Sequence, residues 1–293
     1  MKHFHTLFLG LIALFAINAS AAALDGAKIE QITGLKGKWN EAEHVFKITA
    51  PRTDVKIAVD GVPMPPFIGL TSWAAFTGTA SNVMVMGDIV LFEDEVNRAM
   101  DAAFKAGLDV TALHNHFFFD QPKVYFMHIG GMGELEKLST GVRDVLNAVK
   151  ETRSKDGEPG KAFGGPSVAK QNKISSAPLE ELLGAGEAKD GMFKVVIGRR
   201  AQMHGLEVGK EMGVNTWVAF AGDDQNALVD GDFAVLEDEL QSVLRSLRKN
   251  GINIVAIHQH MTHEQPRIIF LHYWGKGKAV ISGCRRERGA GRY

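Results

Sequence analysis

The chain has 293 residues, 45% of them hydrophobic and 23% charged, with 33 basic side chains against 34 acidic ones. This is the composition of a folded globular protein, and the length suits about two ordinary domains. The near-zero net charge argues against a nucleic-acid partner, and a single cysteine, Cys284, excludes both an intrachain disulfide framework and a cysteine-based zinc site.

In chain order, Lys2 precedes an apolar run from Leu7 to Ile17, followed by Ala19-Ser20-Ala21. The run is too short to span a bilayer, and the small-x-small triplet fits a cleavage site. Residues 1–22 therefore read as a signal peptide, which predicts a periplasmic or secreted protein with no transmembrane segment in the mature chain. A short helix is predicted over 28–33, a strand over 44–49 and a further strand over Val55 to Val59. Trp73 to Gly78 alternates and is rich in aromatics, as a strand does. Val83 to Leu91 is predicted as the next strand, kinked at Gly87-Asp88. From Glu93 to Ala106 the apolar residues Val96, Met100, Ala103 and Phe104 fall at helical spacing. Three acids open this helix, where its dipole favours negative charge, and Gly107 stops it. Strands over 108–116 and 123–130 follow. Residues 151–177 are polar and rich in Gly, Pro and Ser, and read as a linker. A second helix is expected at 237–249, ended by Gly251, and the basic tail 284–293 reads as a solvated end.

The chain says the same thing twice. Residues 73–131 and 217–275 align without a gap, and 21 of the 59 positions are identical. Weaker matches upstream pair Ile29–Gly34 with Leu179–Gly184, and Val45–Ile48 with Met192–Val195. The predicted organisation is repeat domain 1 over 23–150, the linker over 151–177, and repeat domain 2 over 178–283. The predicted fold class is α+β: two tandem homologous β-β-α-β-β modules packed with pseudo-two-fold symmetry.

Each copy ends in the same histidine pattern: His114, His116 and His128 in the first, and His258, His260 and His272 in the second. A structural repeat needs its apolar pattern and turns, but three imidazoles per copy call for another cause. In His-x-His on a strand both side chains share a face, with Cα atoms about 7 Å apart. A third imidazole would complete the donor set of an open zinc site. The expected cofactor is a divalent metal, with zinc first, although imidazole also suits Cu, Fe and Ni. One geometric difficulty stands. A simple hairpin would set His116 opposite Pro122 and leave His128 roughly 13 Å from His114, so His114, His116, His258 and His260 are the firmer ligands.

Glu95 and Glu239, matched acids at the helix starts, are the candidate catalytic bases or fourth ligands, against the plainer reading of acids that serve the helix dipole. Asp88 and Asp232 follow glycines and read as turn residues. Asp120 and Glu264 read either as support for an imidazole or as solvated loop acids. Trp73, Trp217, Phe76 and Phe220 read as core aromatics.

The phrases Ser72-Trp73-Ala74-Ala75-Phe76, Glu93-Asp94-Glu95-Val96, Thr111–His116 and Tyr125–Gly131 resemble the LppY/LpqO-type family of exported bacterial proteins (DUF1259) over nearly the whole mature chain. The resemblance implies export and a duplicated domain, but no settled activity. The chain departs from the lipoprotein members, having no cysteine at the signal cleavage site. The histidine spacing alone also resembles acetolactate decarboxylase. That likeness would imply His114, His116 and His128, or their counterparts, around a zinc ion that polarises a carbonyl for a lyase reaction.

Three functions remain open on the sequence. The first is a periplasmic metalloprotein, as a metal-dependent lyase or hydrolase. The second is a non-catalytic module that binds a small molecule or a cell-envelope component. The third is a structural module with hydrogen-bonded core histidines. Oligomeric state is not readable.

Overall fold

The computed structural model describes residues 23–79 and 81–279. The expected signal peptide, the basic tail and Cys284 lie outside the described residues.

Repeat 1 begins with helix α1 (Gly26–Thr33), then strands β1 (Gly37–Asn40), β2 (Val45–Pro51), β3 (Ala58–Val59), β4 (Val62–Pro63), β5 (Thr71–Thr79) and β6 (Asn82–Phe92). Helix α2 (Glu93–Ala106) leads to β7 (Asp109–His114), β8 (Asp120–Gln121), β9 (Val124–Gly133) and helix α3 (Leu135–Lys155). Repeat 2 runs through α4 (Ser176–Leu183), β10 (Glu187–Lys189), β11 (Met192–Gly198), β12 (Ala201–Met203), β13 (Leu206–Val208), β14 (Asn215–Gly222) and β15 (Ala227–Leu236). Helix α5 (Leu240–Lys249), β16 (Asn253–His258) and β17 (Ile268–Gly277) complete it. The protein mixes helices and sheets, as an α+β chain should.

One sheet of 12 strands carries both repeats, in the order β1-β2-β5-β6-β9-β7-β16-β17-β15-β14-β11-β10. From either edge inward, that order passes through corresponding segments of the two repeats. The repeats meet at its centre, where β7 and β16 pair antiparallel with Leu113 opposite Ile257. Two small sheets, β4-β3-β8 and β12-β13, stand apart from it.

Strand alternation sorts the residues between the two faces. Val83, Val85, Ile89 and Leu91 of β6, with Met127 and Ile129 of β9, pack into the main core with Val96, Met100 and Ala103 of α2 and Val142 and Val145 of α3. The next residues along the same strands, Val90, Phe92, Val124 and Phe126, face the other way. They form a separate small core with Ile57 and Leu70 under the β3–β4 sheet. Ala234, Ile268 and Phe270 do the same with Ala201 and Val208 in repeat 2. Helices therefore cover one face of the large sheet. The opposite face is covered only where the accessory strands lie, and it stays open between them.

Helix α2 keeps its predicted bounds, and Gly107 caps it at φ 79° with its N–H on the carbonyls of Ala103 and Phe104. Helix α5 starts later than expected, at Leu240, because Glu239 N bonds to Leu236 O and closes a tight turn before the helix begins. The expected strand over Val55–Val59 shrinks to Ala58–Val59. Asp88 and Asp232 are not turn residues. Both lie inside unbroken strand pairings, Asp88 opposite Trp73 and His128, and Asp232 opposite Trp217 and His272. The glycines before them serve close packing instead. A Cβ at Gly231 would lie 2.6 Å from Trp217 O and 2.3 Å from the Tyr273 hydroxyl, and one at Gly87 would lie 2.9 Å from Trp73 O.

The segment read as a linker is built into the fold. Helix α3 runs on to Lys155. Beyond it, Ala169, Lys173 and Ile174 donate backbone hydrogen bonds to the carbonyls of Asn226, Gly222 and Gly191 in repeat 2.

Candidate metal centres

Three neighbouring strands of repeat 1 set one side chain beside another on the open face. Register places Asp88 on β6 opposite His128 on β9, and His128 opposite Ala112 on β7, two residues from His114. Directly opposed residues share a face, so Asp88, His128 and His114 point to the same side. Repeat 2 repeats this register with Asp232, His272, Ala256 and His258.

The expected 13 Å separation does not occur. His114 pairs with Phe126, not with Val124 as a simple hairpin would require, so the turn is longer. The extra residues leave the large sheet. Asp120 and Gln121 pair with β3, and Gln265 bonds to Gln202 of β12 in repeat 2. Asn115 Nδ2 donates to Val124 O at 2.7 Å and closes the loop's mouth. As a result the His114 and His128 rings stack with centroids 5.2 Å apart, and those of His258 and His272 stack at 4.8 Å.

The second histidine of each pair follows the strand end and folds back over a phenylalanine. His116 stacks on Phe126 at 3.4 Å and His260 on Phe270 at 3.5 Å. This brings Nε2 of His116 within 3.1 Å of Nε2 of His114, and the same 3.1 Å separates His258 from His260. Two nitrogens held 2.0–2.1 Å from a tetrahedral zinc ion would lie about 3.3 Å apart, so these spacings suit a shared cation. The carboxylates close each cluster: His128 Nε2 lies 4.0 Å from Asp88 Oδ2, and His260 Nε2 lies 3.5 Å from Asp232 Oδ2. Asp232, His258 and His272 could hold a metal ion, since their ligand atoms all lie within 4.8 Å of one another.

Unpaired polar atoms point to the same chemistry. Asp232 is 2% exposed. Its Oδ1, the Oδ1 of Asp88 and the Nδ1 of His258 are buried without a hydrogen-bond partner. Such atoms are costly unless something else satisfies them. With its Nδ1 proton donated to Gly213 O at 3.3 Å, His260 keeps Nε2 free as a lone-pair donor. Burial, then the neighbouring His272 and His260, holds His258 down to about 4. His114 is lowered by burial and by His116 and His128. His116 is lowered chiefly by burial, against the raising influence of Asp88. Unprotonated imidazoles are the form that ligates a metal. Burial raises the Asp232 carboxyl, against the lowering influence of His272 and His260.

All six predicted histidines therefore gather into two clusters, one per repeat. Glu95 and Glu239 do not join them. Glu95 is fully buried at the start of α2, where it accepts from Arg52 at 2.7 and 3.0 Å and from Phe92 N at 2.8 Å, with Arg153 at 2.8 Å. Glu239 accepts from Leu236 N and pairs with Arg199 at 2.8 Å. Asp120 and Glu264 are buried loop acids, not solvated ones, and they accept from the backbone N–H groups of Val124 and Ile268. Phe76 and Phe220 are core residues. Trp73 and Trp217 instead lie half-buried on the open face beside the aspartates, with Lys47 and Lys194 over their rings. Sequence reasoning missed Asp88 and Asp232. The available signal was that each is matched between copies and aligns with the third histidine once the strands are paired.

No curated protein and no solved structure matches the chain. A family model described as Domain of Unknown Function (DUF1259) matches residues 27–148 and again 177–281, so the chain carries two tandem copies of that domain and belongs to that family.

Proposed function

We propose that this is a metal-binding protein with one centre per repeat, built from Asp88, His114, His116 and His128 in the first and from Asp232, His258, His260 and His272 in the second. The observation that carries the reading is convergence. In both repeats the imidazole nitrogens approach one another to 3.1 Å beside a carboxylate with an unpartnered buried oxygen. Core histidines kept for hydrogen bonding would aim at carbonyls, and of these six only His260 has such a contact. The donor set of nitrogen and carboxylate oxygen suits zinc first among the divalent ions.

A bound divalent cation would supply Lewis acidity on the open sheet face, the chemistry of a lyase or hydrolase. The chain's own contribution is positional. Phe126 and Phe270 fix the planes of His116 and His260, and the aspartates hold negative charge against an imidazole of each cluster, Asp88 against His128 and Asp232 against His260. The two repeats sit on either side of the β7–β16 seam, and we read them as related by an approximate two-fold axis there. Export through a cleaved signal peptide completes the proposal: a periplasmic or secreted metalloprotein that acts on a small molecule or a cell-envelope component.

Metal content tests this. Protein purified without a metal-affinity tag is analysed by elemental mass spectrometry, beside His114→Ala/His128→Ala and His258→Ala/His272→Ala. About two ions per chain in the parent and about one in each double variant is the expected result. No bound Zn, Cu, Fe or Mn after reloading would sink the reading.

A further inference from the structure

Contacts between the two repeats differ on the two sides of the seam. In the alignment Asn97 corresponds to Gln241, Asp109 to Asn253 and Gly130 to Trp274. On one side of the seam, Gln241 reaches across and closes on Val110, accepting from its N–H at 3.0 Å and donating to its carbonyl at 2.8 Å. On the other side the shorter Asn97 reaches only Asn253, donating to its Oδ1 at 2.7 Å. A cavity of about 350 Å³ opens there, between the start of α2, the start of β16 and the end of β17.

Linker residues wall this cavity. Gly160 N donates to Asp94 Oδ2 at 2.9 Å, and Lys276 Nζ holds Phe163 O at 3.4 Å. Phe163 thereby packs against Trp274, with ring centroids 6.0 Å apart, and Tyr125 adds a third ring to the lining. Two buried acceptors in the lining have no partner, Asn97 Oδ1 and Asp94 Oδ1. Asn97 is only 8% exposed. No site histidine lines the cavity.

We propose that this cavity is a binding site for a small hydroxylated ring, a mono- or disaccharide. The volume lies at the low end for ligand sites, which suits one or two sugar rings. The orphaned Asp94 oxygen is not held by Arg153, whose guanidinium lies on the other oxygen, so a donor that reached it from the cavity would satisfy an unmet acceptor. A hydroxyl both donates and accepts, so it also satisfies Asn97 whichever way the amide is turned. The aromatic faces complete the match: the C–H face of a pyranose carries the partial positive charge that an aromatic ring's negative face attracts. The site exists once per chain because only repeat 2 supplies a tryptophan and only repeat 1 an asparagine. It does not depend on the metal reading.

The test uses the whole mature chain with glucose, N-acetylglucosamine and maltose as probes, read by ligand-observed NMR and calorimetry. The expected result is one-to-one binding of at least one of them. Trp274→Gly, the residue repeat 1 carries at that position, then weakens it at least tenfold. Phe163→Ala on the linker and Asn97→Ala are read beside it, so that misfolding of one variant leaves the others informative, and each is expected to weaken binding severalfold. Metal content should not change in any of them. No binding by any of the three sugars would overturn the proposal, and so would binding that survives all three substitutions.

Discussion

At the scale of single residues, the aspartates decide whether the clusters are functional. A carboxylate only 2% exposed, with one oxygen unpartnered, is a poor choice for stability alone, since charge burial without a partner is costly. Asp232→Asn should therefore raise the Tm of the metal-free protein by about 2–4 °C, the shift that about 1 kcal/mol produces in a chain of this size. It should also abolish the Tm gain that zinc gives the parent through its second centre, as differential scanning fluorimetry would show. A fall in metal-free Tm with the zinc response intact would mark Asp232 as structural. His258 gives a pH signature. Its folded pKa is down at about 4, below the ordinary value of 6.5, so the unfolded chain takes up a proton first as pH falls. Its contribution is whole above pH 6.5 and is lost progressively toward pH 4. Metal-free protein should lose stability across that window, and His258→Phe should flatten the profile. The histidines could be found from sequence because their spacing survives duplication. The aspartates, matched between the copies in the same way, were hidden because Gly-Asp in a strand reads as a turn. The glycine is there for a different reason, the close approach of the backbone carbonyl of Trp73 or Trp217.

At the scale of elements, the two helix starts share the sequence Glu-Asp-Glu but not its surroundings. Glu95 is enclosed by Arg52 and Arg153, whereas the Glu239 side chain is 33% exposed and holds Arg199. Removing one partner from a buried ionic group costs about 3–5 kcal/mol, and from a partly solvated pair about 1 kcal/mol or less. Glu95→Gln should accordingly cost several-fold more stability than Glu239→Gln in chemical denaturation, with metal content unchanged in both. Loss of metal in Glu95→Gln at full stability would return that acid to the site. Helix α2 was legible from its apolar spacing and its glycine cap. The β7–β9 connection was not, because its length depends on pairing with β3, a contact more than fifty residues away in sequence. The loop tip shows how differently the copies can be decorated on one backbone. Phe119 and His263, at matched positions, both adopt positive φ, at 58° and 68°.

At the scale of the whole molecule, the repeats are not two beads on a linker. They share one sheet, and α5 reaches across the seam. Arg245 donates to Phe104 O and Leu108 O, and Arg248 pairs with Asp101. Separating the halves would expose β7 and β16 as bare edges, which invite pairing with another chain. The full chain should unfold in one calorimetric transition, and a fragment covering residues 23–155 should dimerise or precipitate. Two well-separated transitions and a monomeric fragment would contradict that view. The duplication itself could be read from the sequence, but the joining of the copies edge to edge could not, because nothing in an apolar strand says which neighbour it takes. The same joining leaves both histidine clusters on one open face, about 10–15 Å apart by strand spacing. The most direct measurement is anomalous diffraction at the zinc edge from crystals of the mature chain grown with zinc. The proposed pair of metal centres predicts a peak in each repeat, bonded to imidazole nitrogens at about 2.0–2.1 Å, with Asp88 and Asp232 against them. Well-ordered imidazoles with no anomalous density at either cluster would contradict it.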